Sequence, residues 1–301
     1  MRRSIFWVLV VAFAMLTIPG YTQPTPAPLS YAGKTVLVTG STDGLGRSVA
    51  LALAAQGAHV IVHGRDAQGG QAVLDEIRRS GKGSASFYPA DFSSLKTVRE
   101  FADTLAQRYP KIDLLVSNAG ISLPRDQPRR TSADGHELAF QVNYLAGWVL
   151  VNRLRPNLKA AAPSRVVNIS SISANPIEWD DIMLEKPGAN ARGYGQSKLA
   201  QVTMTAALAP SFAKDGITMI AVHPATMMDT TMVRNSGRPP MTTVAEGRDH
   251  VMSLITAPRL EAGAFYVSGR VRPPAHPQPN DPVARQRLME VSTRLTGVAA
   301  Q

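Results

Sequence analysis

The sequence predicts an α/β protein of the doubly wound type. It has one parallel sheet of about seven strands, helices on both faces, and a single domain over 34–301. Three observations lead there. From Lys34 onward, short β-branched apolar runs alternate with segments of helical apolar spacing. The runs are continuously apolar, as strands buried on both faces are. A glycine-rich turn, TGSTDGLG at 39–46, ends the first run and opens the first helix. The 301 residues, 44% hydrophobic, suffice for one such core and leave little for a second.

The elements follow in order. KTVLVT (34–39) is the first strand, and LGRSVALALAAQG (45–57) a helix that stops at Gly57. AHVIVHG (58–64) is the second strand, and Asp66 caps the helix over 66–81. SASFYPA (84–90) is the third strand; the helix over 93–110 ends at proline. KIDLLVSNAG (111–120) is the fourth strand with its exit turn, followed by one long amphipathic helix over 133–158. SRVVNISS (164–171), a helix over 194–216, ITMIAVHPA (217–225) and GAFYVSG (263–269) complete the series. In such sheets ligands sit at the carboxyl ends of the strands, so the turns near 40, 64, 91, 118, 171 and 224 should gather along one edge.

Composition narrows the chemistry. The chain has no Cys, which excludes disulfides, Cys-ligated zinc and a thiol nucleophile. Its six His show no metal-ligand spacing, so no metal is expected. There is no GxSxG nucleophile elbow. The net charge is +10, but Lys and Arg are scattered, which reads as a solvated surface rather than a nucleic-acid face. Residues 1–22 stand apart: Arg2 and Arg3 precede the apolar run 5–18, then Pro19 and Gly20 follow. That pattern reads as a signal peptide or membrane anchor, with RRSIF faintly resembling a twin-arginine signal and 23–33 a Pro-rich linker. The protein is therefore expected to be exported or membrane-anchored, or cytoplasmic if the start is assigned too far upstream.

The glycine turn suits a dinucleotide. Gly40, Gly44 and Gly46, with Ser41 and Leu45, lie between a strand and a helix start, where free N–H groups and the helix dipole favour pyrophosphate. This is the phosphate turn of a Rossmann fold. At the end of the second strand, Gly64 holds the place where an acid would meet a ribose 2′-hydroxyl, and Arg65 follows it. A guanidinium suits a 2′-phosphate, so NADP(H) is favoured over NAD(H). Arg47 adds charge nearby. Asp91, with Phe92, is placed to meet adenine, and Asn118, Ala119 and Gly120 to let the cofactor lie against backbone. Pro224 and Thr226 follow the sixth strand, at the same edge, and are candidate cofactor contacts.

Tyr194 and Lys198 lie four apart in GYGQSKLA, hence on one face of a helix. A free phenol has a pKa near 10 and is a poor base at neutral pH. A neighbouring ammonium favours the phenolate; bringing it to about 7 requires roughly 4 kcal/mol. The pair therefore reads as a tyrosine acid/base next to a hydride carrier.

TGSTDGLG, SNAG, the Asn of FQVNYLAG, the ISS strand end and YGQSK, in this order over roughly 34–225, resemble the short-chain dehydrogenase/reductase family. The resemblance implies a catalytic set of Ser171, Tyr194, Lys198 and Asn143, with Ser170 the rival serine. It implies that Ser171 orients the substrate oxygen and that Asn143 holds a water linking Lys198 to solvent. Twenty-two residues separate Ser171 from Tyr194, more than is usual in the family. The segment between them, the helix around Asn143 and the tail after 268 resemble the retinol dehydrogenase and protochlorophyllide reductase branch. That implies a small hydrophobic carbonyl or alcohol substrate under a lid formed by 173–193 and 226–255. Met227, Met228, Met232 and Met241 would suit an adaptable apolar wall. One departure is Ala225, where the family has glycine after Pro224; a positive φ would be strained there. Two alternatives stay open: reduction of a C=C bond with the same cofactor and tyrosine, and a non-catalytic nucleotide-binding or membrane-surface protein of this fold. Membrane association and homo-oligomerisation also stay open.

Overall fold

The computed structural model describes residues 27–124 and 127–301. The N-terminal segment read as signal peptide or anchor, and the start of the linker, lie outside the described residues. Among the described residues no helix is long and apolar enough to cross a membrane.

Eight strands form one sheet in the order β3-β2-β1-β4-β5-β6-β7-β8. They are β1 (Thr35–Val38), β2 (His59–Gly64), β3 (Ser84–Pro89), β4 (Leu114–Ser117), β5 (Ser164–Ile169), β6 (Ile217–His223), β7 (Phe265–Val267) and β8 (Arg270–Val271). The first seven are parallel, as expected; β8 was not expected and pairs antiparallel with β7. Ser268 (φ 47) and Gly269 (φ 80) join them in the positive-φ conformation that a two-residue hairpin requires.

Side chains alternate across this sheet. Leu37, Ile61, Leu115, Val166 and Met219 enter one core, and Val36, Val38, Val60, Val62, Val116 and Val167 the other. α3 (Leu95–Arg108), α5 (Ala146–Arg153), α7 (Gly193–Lys214) and α10 (Pro282–Thr296) cover the first face. α1 (Gly44–Ala55), α2 (Ala67–Ser80) and α9 (Val244–Thr256) cover the second. This double burial is why the strands read as unbroken apolar runs. The strand order reverses between β1 and β4, so their carboxyl ends border the crevice where ligands bind in open α/β sheets.

Two expectations are corrected, for the helix over 133–158 and for the end of the linker. The single helix over 133–158 is broken. It begins as α4 (Leu138–Phe140), widens into a π turn at Gln141–Leu145, continues as α5, and restarts as α6 (Arg155–Ala160) with Pro156 in its first turn. Pro lacks the N–H that a continuing helix needs. Within 226–255, expected to form part of a substrate lid, lie α8 (Thr231–Arg234) and most of α9. The linker ends earlier than residue 33. Tyr31 is buried, its hydroxyl donates to the Ile255 carbonyl, and Leu29 N–H bonds the Thr256 carbonyl. These contacts lie at the amino ends of the strands, where Arg165 on β5 donates to the Leu254, Ile255 and Ala257 carbonyls and closes the end of α9.

Candidate active site

The predicted turns do converge on the carboxyl edge. Gly40 (φ +62) turns the chain out of β1, and a Cβ there would lie 2.8 Å from the Ala119 Cα. At Gly46 a Cβ would lie 2.2 Å from the Gly40 carbonyl oxygen. Only hydrogen fits at either point, so the turn folds onto the β4 exit backbone to backbone. Side chains pin that contact. Asn118 Nδ2 donates to the Thr39 and Gly40 carbonyls, and Thr39 Oγ1 accepts from the Asn118 and Ala119 N–H groups. Ser41 bonds inward: its hydroxyl donates to the Val38 carbonyl and accepts from His63 N–H. It shapes the turn, and its hydroxyl does not face outward toward a ligand.

The site fits a pyrophosphate. The N-termini of α2, α3, α9 and α10 are closed by the side chains of Asp66, Ser94, Thr243 and Asp281. At α1 the Asp43 side chain makes no capping bond; its Oδ2 accepts from Thr231 Oγ1 at 2.6 Å. The first amides of α1, from Gly44, Leu45 and Gly46, are thus left for an anion.

At the end of β2, a Cβ on Gly64 would lie 2.5 Å from Thr42 Cγ2, so Thr42 fills the place where an acid would stand. Arg65 is exposed beside it. Arg47 pairs with Glu76 on α2, which takes up the charge expected near the phosphate. Asp91 accepts from Ser93 N–H through Oδ1, and Ser94 caps α3. Phe92 is buried and stacks on His63, ring centroids 4.1 Å apart. Its side chain supports the turn from below. Thr226 Oγ1 meets His223 Nε2 at 3.1 Å, and the Pro224 carbonyl accepts from His250 Nδ1. The positive φ feared at Ala225 falls instead on Met227 (φ 50).

The chemical end is held by side chains. Tyr194 is the second residue of α7 and Lys198 stands one turn further on. Glycines flank the tyrosine because its surroundings leave no room: a Cβ on Gly193 would lie 2.8 Å from Glu137 Oε1, and one on Gly195 2.1 Å from Asn175 Oδ1. Ser171 is the side chain that acts on the Tyr194 phenol, favouring its ionised form. Ser170 is turned the other way, its hydroxyl donating to the Lys198 carbonyl at 2.7 Å. The two rival serines are thereby told apart. Lys198 Nζ lies 5.6 Å from the Tyr194 ring centroid and donates to the Ile169 carbonyl (2.8 Å) and to Gln201 Oε1 (3.1 Å). Asn143 sits in the π turn. Its amide bonds both backbone groups of Ile121 and donates to Ser197 Oγ, so any water it holds must use the remaining lone pair of Oδ1.

Burial governs the protonation of both groups. It pushes the Tyr194 phenol above its ordinary value, against the influence of Ser171, and brings the Lys198 ammonium down to about 7. The acidified phenol expected from the pairing alone is thus opposed by desolvation.

The two ends touch through Asn118-Ala119-Gly120. Ala119 packs on Gly40, and a Cβ on Gly120 would lie 3.3 Å from Asn143 Oδ1 and 3.5 Å from Lys198 Nζ. The segment 173–193 is fastened down rather than loose: Ile177 and Leu184 are buried, and Gln196 on α7 bonds Glu178 N–H and the Ile182 carbonyl.

Reading the sequence missed His63, Thr42, His250 and Gln201. His63 accepts from Gly40 N–H at Nδ1 (3.0 Å) and meets the Ala90 carbonyl at Nε2 (3.2 Å). The signal was present: a histidine late in an otherwise apolar buried strand must find partners.

The fold and this arrangement define the class, and comparison with known proteins agrees. The family model for short chain dehydrogenase matches residues 34–240, and the chain belongs to that family. It is 32% identical over 296 residues to human retinol dehydrogenase 13, covering 91% of this chain and 88% of that one. A Streptomyces sp. (strain C5) protein that carries the name of a daunorubicin C-13 ketoreductase is 34% identical, covering 95% of this chain and 100% of its own. The RhlG/NADP complex of Pseudomonas aeruginosa matches with a TM-score of 0.64 at 26% identity, over 79% of this chain and 95% of that one. The protein is thus an oxidoreductase of the retinol dehydrogenase-like branch, acting between carbonyls and alcohols.

Proposed function

We propose that the protein uses NADP(H) to interconvert a carbonyl and an alcohol on a hydrophobic substrate, with Ser171, Tyr194, Lys198 and Asn143 as its working set. The observation that carries this reading is the continuity of the site. The turn that packs on Gly40 also packs, one residue later, against Lys198 and Asn143. One extended ligand can therefore span from the α1 amides to the Tyr194 phenol.

When bound, the nicotinamide gives or takes the hydride. The open amides of α1 hold the pyrophosphate, and Asn118, Ala119 and Gly120 supply a floor of small residues. Arg65, with no acid admitted at position 64, supports the preference for a 2′-phosphate. Ser171 orients the substrate oxygen, and Tyr194 delivers a proton to it in reduction and removes one in oxidation. Protonated Lys198 favours the phenolate that this exchange leaves behind. Ile172, 44% exposed next to Ser171, and Met241, 73% exposed on the 226–255 segment, support an apolar substrate. So do the names of the relatives. The segments 173–193 and 226–255 form its walls. The apolar run at 5–18 supports export or membrane attachment, which N-terminal sequencing of the native protein decides.

The test is binding and turnover measured together. NADPH should bind about tenfold more tightly than NADH. Tyr194→Phe should keep NADPH binding and lose about a thousandfold in reduction of all-trans-retinal or decanal. Normal turnover in that variant would overturn the tyrosine mechanism.

A further inference from the structure

Gln201 is 1% exposed on α7, one turn beyond Lys198, among Leu199, Val202, Met204 and Leu208 of the same helix. A buried amide in such company is costly unless it is bonded. Its Oε1 lies 3.1 Å from Lys198 Nζ, and facing an ammonium it must present oxygen rather than NH₂. The ammonium's other partner is the Ile169 carbonyl at the end of β5, at 2.8 Å. Around it stand Tyr194 on its own helix and, from the β4 exit and the π turn, Gly120 and Asn143. Among the described residues no carboxylate pairs with Lys198, and burial lowers its pKa. Two neutral oxygens therefore receive its N–H donors where a carboxylate would otherwise stand.

We infer that Gln201 is a positioning residue that holds the Lys198 ammonium, charged and in place, beside the Tyr194 phenol. The inference rests on the proposed acid/base role of Tyr194. It goes further in assigning the geometry of that pair to a side chain that touches neither substrate nor cofactor. Removing Oε1 leaves burial opposed by the Ile169 carbonyl alone. Lys198 then loses its proton more readily, and the phenol loses the field that favours its ionised form.

The experiment uses the full-length protein without cofactor. The tyrosinate ultraviolet absorbance of Tyr194 is followed against pH as the difference between each protein and its Tyr194→Phe counterpart. Gln201→Met, close in shape but without a strong acceptor, should move this titration to higher pH by about one unit. The acid limb of decanol oxidation should move with it, while NADPH binding stays within about threefold. Gln201→Asn, whose amide is withdrawn by one methylene, should move both in the same direction by less; it serves if the Met variant fails to fold. A titration that superimposes on the parent in a folded variant overturns the inference. An inactive Tyr194→Phe beside an unmoved Gln201 titration would defeat this inference alone. A fully active Tyr194→Phe would defeat the proposed mechanism itself.

Discussion

The two halves of the carboxyl edge are built from different materials. Around Gly40 the site is main chain against main chain, with glycines where any side chain would collide. Around Tyr194 it is buried polar side chains in contact: Ser171, Lys198, Gln201, Asn143 and Ser197. The first half recognises something every dinucleotide has, and backbone amides suffice. In the proposed reaction the second must hold a proton at one atom, which takes titratable groups whose surroundings are tuned. The first half should therefore fail through steric changes, and the second through single atoms.

The largest effect should separate two adjacent hydroxyls. Ser171→Ala removes the partner of the Tyr194 phenol and should lower turnover by about a hundredfold or more. Ser170→Ala removes only a bond to the Lys198 carbonyl and should cost about 1 kcal/mol of stability with turnover within about twofold. Equal losses in a steady-state assay would erase the distinction. On the main-chain side, Gly46→Ala places a Cβ 2.2 Å from a carbonyl oxygen; about 2 to 3 kcal/mol of stability should be lost, with weaker NADPH binding in thermal unfolding and titration. A variant as stable as the parent would show the turn to be compliant.

His63 should sharpen the comparison through pH. Burial lowers its folded pKa to about 4, below the ordinary 6.5, so the fold holds the neutral ring. Its contribution is present above pH 6.5 and is lost as pH falls toward 4, by up to about 3 kcal/mol. Protonation of the folded ring removes the acceptor for Gly40 N–H, so nucleotide affinity should fall only as pH approaches 4. His63→Gln should flatten that dependence in urea titrations at several pH values. The smallest effect belongs to the exposed Arg65: Arg65→Leu should weaken NADPH binding about tenfold and leave NADH almost unchanged. Equal weakening of both would remove the basis for the nucleotide preference.

Much of this could be read from the sequence because the strands are apolar throughout and the glycine turn has a fixed place between strand and helix. Tyr194 and Lys198 were legible because helical spacing alone puts them on one face. What escaped depended on register. His63 meets Gly40 because Val38 pairs with Val62, which carries the next residue of β2 to the turn. Gln201 looked like any polar residue on a long helix until burial was known. The break after Leu154 was hidden because the apolar pattern continues across it, although Pro156 marked the restart.

The docking of Tyr31 and Leu29 carries a practical consequence. These residues enter the domain behind the sheet, beside the end of α9, while the phenol and the glycine turn open at the front. A handle fused ahead of residue 27 and fixed to a solid support would leave the reactive edge turned toward the bulk liquid. A handle on the 226–243 stretch would crowd the proposed substrate wall.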